Sequence, residues 1–293
     1  MDKKPSPQSR TKRPEWLKIK IKTDKDFNSI KQLMTNQSLN TVCEEARCPN
    51  IYECWSRKTA TIMILGDICT RSCGFCSVKT GKPLGMDSLE PVRVAEAVKR
   101  MNLEHVVITS VDRDDLKDDY GSSIWADTIY QIHRTVPGCS VEVLTPDFQG
   151  YIPALKNIFN AKPEIFSHNI ECVERISKKV RMQSNWERSL QVLDYAVKNN
   201  MTTKTGMMVG LGENDTEVFE TMKEVADLGV EIFNIGQYLQ PTKKHLDVQR
   251  FVHPDIFRSY KEEGLKMGFK VIESGPLVRS SYHADEQVQE YNN

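Results

Sequence analysis

From residue 61 onward, short β-rich runs alternate with amphipathic helical patterns, and this rhythm restricts the fold more than any other feature of the 293-residue chain. TIMILG at 61–66, HVVITS at 105–110, SVEVLT at 140–145, EIFSHNI at 164–170 and the runs 203–209 and 232–239 read as strands. Helices are expected over 92–101, 123–136, 151–160, 186–198, 217–228 and 254–267, with 270–273 closing the series. Such an alternation means repeated βαβ units and a parallel sheet. Six units suggest an α/β barrel or an open part-barrel with no second domain, since barrels reach about 250 residues as one unit. Periodicity alone leaves a doubly wound open sheet as the alternative.

Four segments are expected: a disordered, basic, Pro/Ser-containing arm at 1–14, an N-terminal extension at 15–60, the core at 61–268, and a C-terminal strand and tail at 269–293. A mitochondrial transit peptide is the other reading of the arm, but it is short and lacks an amphipathic stripe. Residues 16–21 alternate apolar and basic side chains, as a short strand or an extended strap would, and 27–34 fits one or two helical turns.

Forty basic residues balance forty acidic ones. That neutrality disfavours nucleic acid or an anionic membrane as partner. No apolar run approaches the roughly 20 residues of a membrane span, and no secretory h-region is present. A soluble, cytoplasmic protein is expected.

Six of the eight cysteines fall between Cys43 and Cys76, a clustering that argues for metal ligation under reducing conditions. Cys139 and Cys172 stand alone and read as buried small hydrophobes. Directly after the first strand comes Cys69-Thr70-Arg71-Ser72-Cys73-Gly74-Phe75-Cys76. Three thiolates so spaced can wrap one face of a [4Fe-4S] cube. With no fourth local cysteine, one iron stays open to a non-protein ligand. Gly74 lets the backbone approach the sulfides, and Phe75 can shield them from water. Zinc usually takes four ligands in close pairs, and no second pair follows.

Cys43, Cys48 and Cys54 form a second triplet of different spacing, with Pro49 breaking the run. Three unrelated buried thiols, or a zinc site completed by a distant histidine, are the alternatives. Two triplets this close favour iron-sulfur chemistry.

The strand ends, where parallel α/β folds gather their chemistry, are polar: Thr109, Ser110 and Asp112 after the second strand, Asp147 after the third, His168 and Asn169 at the fourth, Gly210 to Glu213 at the fifth. Together they offer acceptors for an ammonium, donors for a carboxylate and room for a flat base. His168 reads either as a proton acceptor or as a satisfied structural histidine.

The octet resembles the signature of the radical S-adenosylmethionine (SAM) enzymes. That resemblance implies a (β/α)6 partial TIM-type barrel whose open iron chelates the amino and carboxylate groups of SAM. An electron from the cluster then cleaves SAM to a 5′-deoxyadenosyl radical that takes a hydrogen atom from the substrate. It further implies that Thr109, Ser110 and Asp112 lie near the methionyl amine, Asp147 near the ribose, Asn169 near the carboxylate and Gly210, Gly212 and Glu213 against the adenine.

The second triplet, taken with Arg279-Ser280-Ser281-Tyr282 near the C-terminus, resembles the lipoyl synthase family over residues from about 16 to 285, with no departure from its motifs. This implies a second, auxiliary [4Fe-4S] cluster on Cys43, Cys48, Cys54 and a serine, Ser281 with Ser280 as the fallback. It also implies insertion of two sulfur atoms, drawn from that cluster, at C6 and C8 of an octanoyl chain on a lipoyl-carrier domain. An electron donor such as a flavodoxin or ferredoxin, and an iron-sulfur carrier protein for cluster replacement, are the further partners expected. The rival readings are another radical SAM sulfur-inserting enzyme, a non-enzymatic iron-sulfur electron carrier and a zinc-stabilised binding module.

Overall fold

Seven strands run β1 (Thr61–Ile64), β2 (His105–Ser110), β3 (Ser140–Leu144), β4 (Ile165–Ser167), β5 (Thr203–Val209), β6 (Ile232–Gln237) and β7 (Val271–Gly275) in this computed structural model, which describes residues 13–19, 23–57, 59 and 61–292. They lie side by side in chain order, each parallel to the next. A two-residue strand, Asn40–Thr41, adds to β1 antiparallel. A doubly wound sheet reverses its order at a switch point. No reversal occurs here, so the open-sheet alternative falls.

Each crossover carries a helix: α1 (Glu90–Met101), α2 (Ser122–Thr135), α3 (Ile152–Asn160), α4 (Trp186–Lys198), α5 (Asp215–Asp227) and α6 (Pro254–Met267). Strands covered on both faces read as continuous apolar runs, and Ile62, Met63, Ile64, Val141, Val143, Phe233 and Ile235 are accordingly buried. α1 turns Val94, Ala97, Val98 and Met101 inward. α5 starts on a capping box between Asn214 and Glu217, and α6 ends on Gly268 at φ 106°.

The bounds of β2, β5, α4 and α6 are those expected from the periodicity. Other elements differ for local reasons. β1 stops at Ile64 because Leu65 and Gly66 take positive φ, 66° and 90°. β4 is three residues long, shorter than the expected 164–170, and the chain then turns through Glu171 at φ 68°. A helix at Glu174–Val180 and a two-stranded pair, Ile68–Cys69 with Lys79–Thr80, have no counterpart in the expectations. Residues 15–17 form a 3-10 turn with Leu17 buried, in place of the start of a strand, and 27–34 is the centre of a longer helix, Lys25–Asn36. Residues 20–22 and most of the basic arm lie outside the described residues.

The two ends of the parallel sheet, β1 and β7, are not paired. The gap is spanned by the segment after β7. Asn50 donates to the Leu277 carbonyl at 2.7 Å, and Thr61 of β1 donates to the Ser281 hydroxyl at 2.6 Å. Tyr282 donates to Glu53, and Arg57 pairs with Glu286 at 2.5 Å. Asn234 of β6 donates to the Ser280 carbonyl at 2.9 Å. This approach requires glycine at 236: a Cβ there would sit 2.1 Å from the Val278 carbonyl oxygen. N-terminal and C-terminal segments thus meet over one end of the sheet.

Candidate functional site

The octet leaves β1 through the short pair Ile68–Cys69 and Lys79–Thr80 and folds back over the strand ends. Arg71 fixes it there. This 3 % exposed side chain donates to Asp114 at 2.7 and 2.9 Å and to Asp147 at 2.6 Å, and it lies 3.2 Å from Asp112. The Thr70 amide donates to the Asp112 carbonyl, Gly74 donates to the Val180 carbonyl and accepts from the Leu246 amide, and the His245 ring meets the Cys76 carbonyl at 2.9 Å. A Cβ at Gly74 would lie 2.9 Å from Leu246. Glycine therefore serves packing at this position. Phe75 is partly buried against the apolar core beneath α5 and α6.

The Cys69 thiol faces the Asp112 carboxylate at 3.7 Å. Burial pushes Cys69 up to about 12 and raises Cys73 and Cys76 as well, with Asp112 and Glu171 adding to the effect. Burial also lifts Asp112 to about 6, against the pull of Arg71, and it raises Glu171. Thiols in such surroundings are protonated until a cationic group displaces the proton. Three thiols converging from one loop, with two carboxylates behind them, suit a cationic iron-sulfur core that leaves room for an ammonium.

Of the polar residues expected around SAM, Asp112 stands beside the thiols. The others have different neighbours. Thr109 donates to the Leu144 carbonyl and Ser110 to the Val111 carbonyl. Asp147 is 1 % exposed and accepts from Arg71, Arg188 and the Gln149 amide. Burial would raise its pKa, yet the guanidinium of Arg71 holds it below the ordinary carboxylate range. Asp147 thus anchors the arginine of the cysteine loop.

Asn169 donates to the Ser280 hydroxyl at 2.7 Å, while its buried carbonyl oxygen has no partner among the described residues. It reaches toward the C-terminal segment. Glu213 accepts from the amides of Gly210 and Leu211 at 2.7 and 2.9 Å. It shapes the turn from behind, in which Gly210 is buried and Gly212 is exposed. Gly210, at φ 97°, has Gln237 Nε2 only 2.2 Å from where a Cβ would stand. His168 bonds the Thr145 carbonyl and Ser189, and burial lowers it to about 4. It is the satisfied structural histidine.

Cys43, Cys48 and Cys54 line a second cavity, with Thr61, Arg279 and Ser281. Two short helices, Val42–Glu45 and Ile51–Ser56, carry the first and last of these thiols. Thr41 caps the first helix through the Glu44 amide, and the Cys48 amide donates to the Cys43 carbonyl. Burial, followed by the neighbouring thiols, pushes Cys43 and Cys54 up to about 12. Of the two candidate serines, Ser281 lines this cavity and Ser280 turns to Asn169. No three or more His, Cys, Asp or Glu side chains among the described residues are gathered closely enough to hold a single metal ion. Thiols that bind different irons of a cube stand farther apart than ligands of one ion. Three soft thiols and one harder hydroxyl form a donor set that fits iron-sulfur ligation.

Cys139 and Cys172 are buried in the two cores, as expected of small hydrophobes. The residues that the sequence reasoning passed over are charged. Arg71 lies inside the octet itself, and three aspartates within reach at the strand ends were the available hint. Glu142 and Lys204, fully buried, pair at 3.0 Å between β3 and β5. A polar residue amid an apolar strand run was their signal.

The family model of the Radical SAM superfamily matches residues 63–225, and that of the N-terminal domain of lipoyl synthase matches residues 2–48. Curated relatives called lipoyl synthase include one from Rubrobacter xylanophilus, 55 % identical over 95 % of this chain and 87 % of the relative. Another, from Flavobacterium johnsoniae, is 50 % identical over 94 % of this chain and 96 % of the relative. Among solved structures, Streptococcus suis SuiB bound to S-adenosylmethionine superposes with a TM-score of 0.58 at 9 % identity, covering 77 % of this chain and 54 % of SuiB. The maturase HydG superposes with a TM-score of 0.54 at 13 % identity, covering 94 % of this chain and 68 % of HydG. These two likenesses bear on the fold alone.

Proposed function

The chain belongs to the lipoyl synthase family of radical SAM enzymes, and we propose that its two cysteine triplets divide that family's reaction between cleavage of SAM and delivery of sulfur. It is a radical SAM sulfur-inserting enzyme. Cys69, Cys73 and Cys76 hold the SAM-binding [4Fe-4S] cluster, and Cys43, Cys48, Cys54 and Ser281 hold the auxiliary one. When bound, the first cluster supplies the electron that breaks SAM and the second supplies the two sulfur atoms.

The chain's own residues do the rest. Asp112, beside Cys69, accepts from the methionyl ammonium, with the Thr109 and Ser110 hydroxyls close by. The turn at Gly210 and Gly212, shaped by Glu213, offers a flat backbone surface to the adenine. Asp147 and Arg71 hold the cysteine loop at the strand ends. Asn169 donates to Ser280, and its buried side-chain carbonyl oxygen has no partner among the described residues. It remains the residue proposed to orient the SAM carboxylate, through its amide group, once Ser280 shares that donor.

The substrate is an octanoyl chain on a lipoyl-carrier domain, sulfurated at C6 and C8. A low-potential donor such as a flavodoxin or ferredoxin and an iron-sulfur carrier that rebuilds the auxiliary cluster complete the set of partners. No helix among the described residues is long and apolar enough to cross a membrane, and a cytoplasmic site of action accords with that.

The observation that carries this reading is the shared cavity of three thiols and Ser281, separate from the octet. Ser281→Ala tests it. Deoxyadenosine formation is expected to continue near the parent rate while lipoyl product falls at least about tenfold, the equivalent of ~1.4 kcal/mol. Product formed at the parent rate would remove Ser281 from its assigned role.

A further inference from the structure

The Arg-Ser-Ser-Tyr run contains one more side chain that faces the auxiliary cavity. Arg279 lines it beside Cys48. Among the described residues, the one hydrogen bond of its guanidinium is from Nη1 to the Val278 carbonyl, at 2.6 Å, and no carboxylate pairs with it. Arg71 and Arg113, which are buried, are treated differently: Arg71 grips Asp114 and Asp147, and Arg113 grips Asp115, while the buried Arg181 donates to the Asn169 carbonyl and the Ser189 hydroxyl. The other basic group of the cavity wall, His105, is turned toward Glu142 and Ser140. Arg279 is the cation left for whatever fills the cavity.

It is also held in place. Asn234 donates to the Arg279 carbonyl at 3.3 Å, and the Tyr282 amide donates to the same oxygen at 2.9 Å. A Cβ at Gly236 would lie 3.2 Å from Nη1, so the glycine leaves the guanidinium its path. Desolvating a cation without a counter-ion is expensive, and structures keep such a group where an anion compensates it. A cube in its oxidised 2+ state, held by three thiolates and one alkoxide, is a dianion. The donor set of the cavity and the lone cation beside it are complementary.

We propose that Arg279 is a positioning residue for the auxiliary group, whose anionic charge it offsets, thereby retaining its iron and raising its reduction potential. The inference rests on the reading that Cys43, Cys48, Cys54 and Ser281 hold a cluster. A fixed positive charge favours the more negative, reduced state, and its removal shifts the potential downward.

The test uses the full chain with Cys69, Cys73 and Cys76 changed to Ala, so that only the auxiliary group reports. In this parent, Arg279→Gln removes the charge and Arg279→Lys keeps it. Iron loss to a chelator and the midpoint potential from a redox titration are measured for all three proteins. The Gln variant is expected to lose iron at least about tenfold faster, the equivalent of one charge-assisted hydrogen bond at ~1.5 kcal/mol, and to titrate at a more negative potential. The Lys variant is expected to stay close to the parent in both. If the Gln variant takes up no iron while the Lys variant does, the charge is again what matters. Gln and Lys variants that shift alike, that both match the parent or that both take up no iron would overturn the role. A parent without iron would instead sink the underlying ligand assignment, and the inference with it.

Discussion

The two cysteine triplets are built by opposite means. Cys69, Cys73 and Cys76 sit on one loop, and the groups that hold the loop are at the ends of neighbouring strands, with Arg71 locked to carboxylates. Cys43 and Cys54 come from two short helices and Cys48 from the turn between them, and their cavity is closed by a segment that reaches Thr61 from 220 residues away. The first triplet is complete within the barrel. The second exists only when the chain's two ends meet, and its cation, Arg279, has no acid partner among the described residues. On the proposed function, the site that is emptied and refilled is joined to the body by a seam, while the site that cleaves SAM is rooted in it.

The largest expected difference separates the triplets outright. Changing Cys69, Cys73 or Cys76 to Ala abolishes deoxyadenosine formation. Changing Cys43, Cys48 or Cys54 leaves SAM cleavage running and stops lipoyl product. Both are read in one chromatographic assay, and a Cys43→Ala variant that still makes lipoyl product would break the division.

Arg71→Met comes next. It leaves Asp147 buried and short of its closest partner, and breaking such a buried pair costs about 3–5 kcal/mol. Urea unfolding gives that number, and SAM cleavage is expected to fall with it while iron on the second triplet is retained. A loss of less than about 1 kcal/mol would mean that Arg71 is not the anchor of the loop.

Gly236→Ala attacks the seam, because the new Cβ meets the Val278 carbonyl 2.1 Å away. Overpacking of this kind costs about 1–3 kcal/mol. Iron on Cys43, Cys48 and Cys54 should be lost more easily to a chelator, with SAM cleavage close to the parent. Equal effects on both activities would show that the seam supports the whole barrel.

The smallest effect belongs to neither triplet. His168 is lowered to about 4 in the fold from an ordinary 6.5, so the unfolded chain binds the extra proton between those values. Stability from this group is full above pH 6.5 and is lost as pH falls toward 4. The expected loss between pH 7 and pH 5 is up to about 2 kcal/mol, and His168→Gln should remove that dependence. An unchanged slope in the variant would mean that His168 is not the group responsible.

What could be read from the sequence follows the same division. Residues 105–110 and 186–198 were legible because period-2 and period-3.6 patterns are local, and the octet because its ligands are local too. The family resemblance alone puts Asp147 near the ribose of SAM and Asn169 near its carboxylate. Which partner such a residue takes depends on Arg71 and Ser280, 76 and 111 positions away, and no spacing rule reports that. The choice between Ser280 and Ser281 was open for the same reason: adjacent residues of a tail point to opposite sides, and only the docked tail says which side faces the thiols. Arg279 was visible as part of a motif, but its lack of an acid partner is a property of the folded chain.

The central claim is that the chain carries two independent cubes. Iron and acid-labile sulfide per chain, measured on protein purified without oxygen, test it most directly when the wild type is compared with the Cys43/Cys48/Cys54→Ala and Cys69/Cys73/Cys76→Ala variants. The account predicts about eight of each in the wild type and about four in either variant. About four in the wild type, unchanged when Cys43, Cys48 and Cys54 are removed, would contradict it.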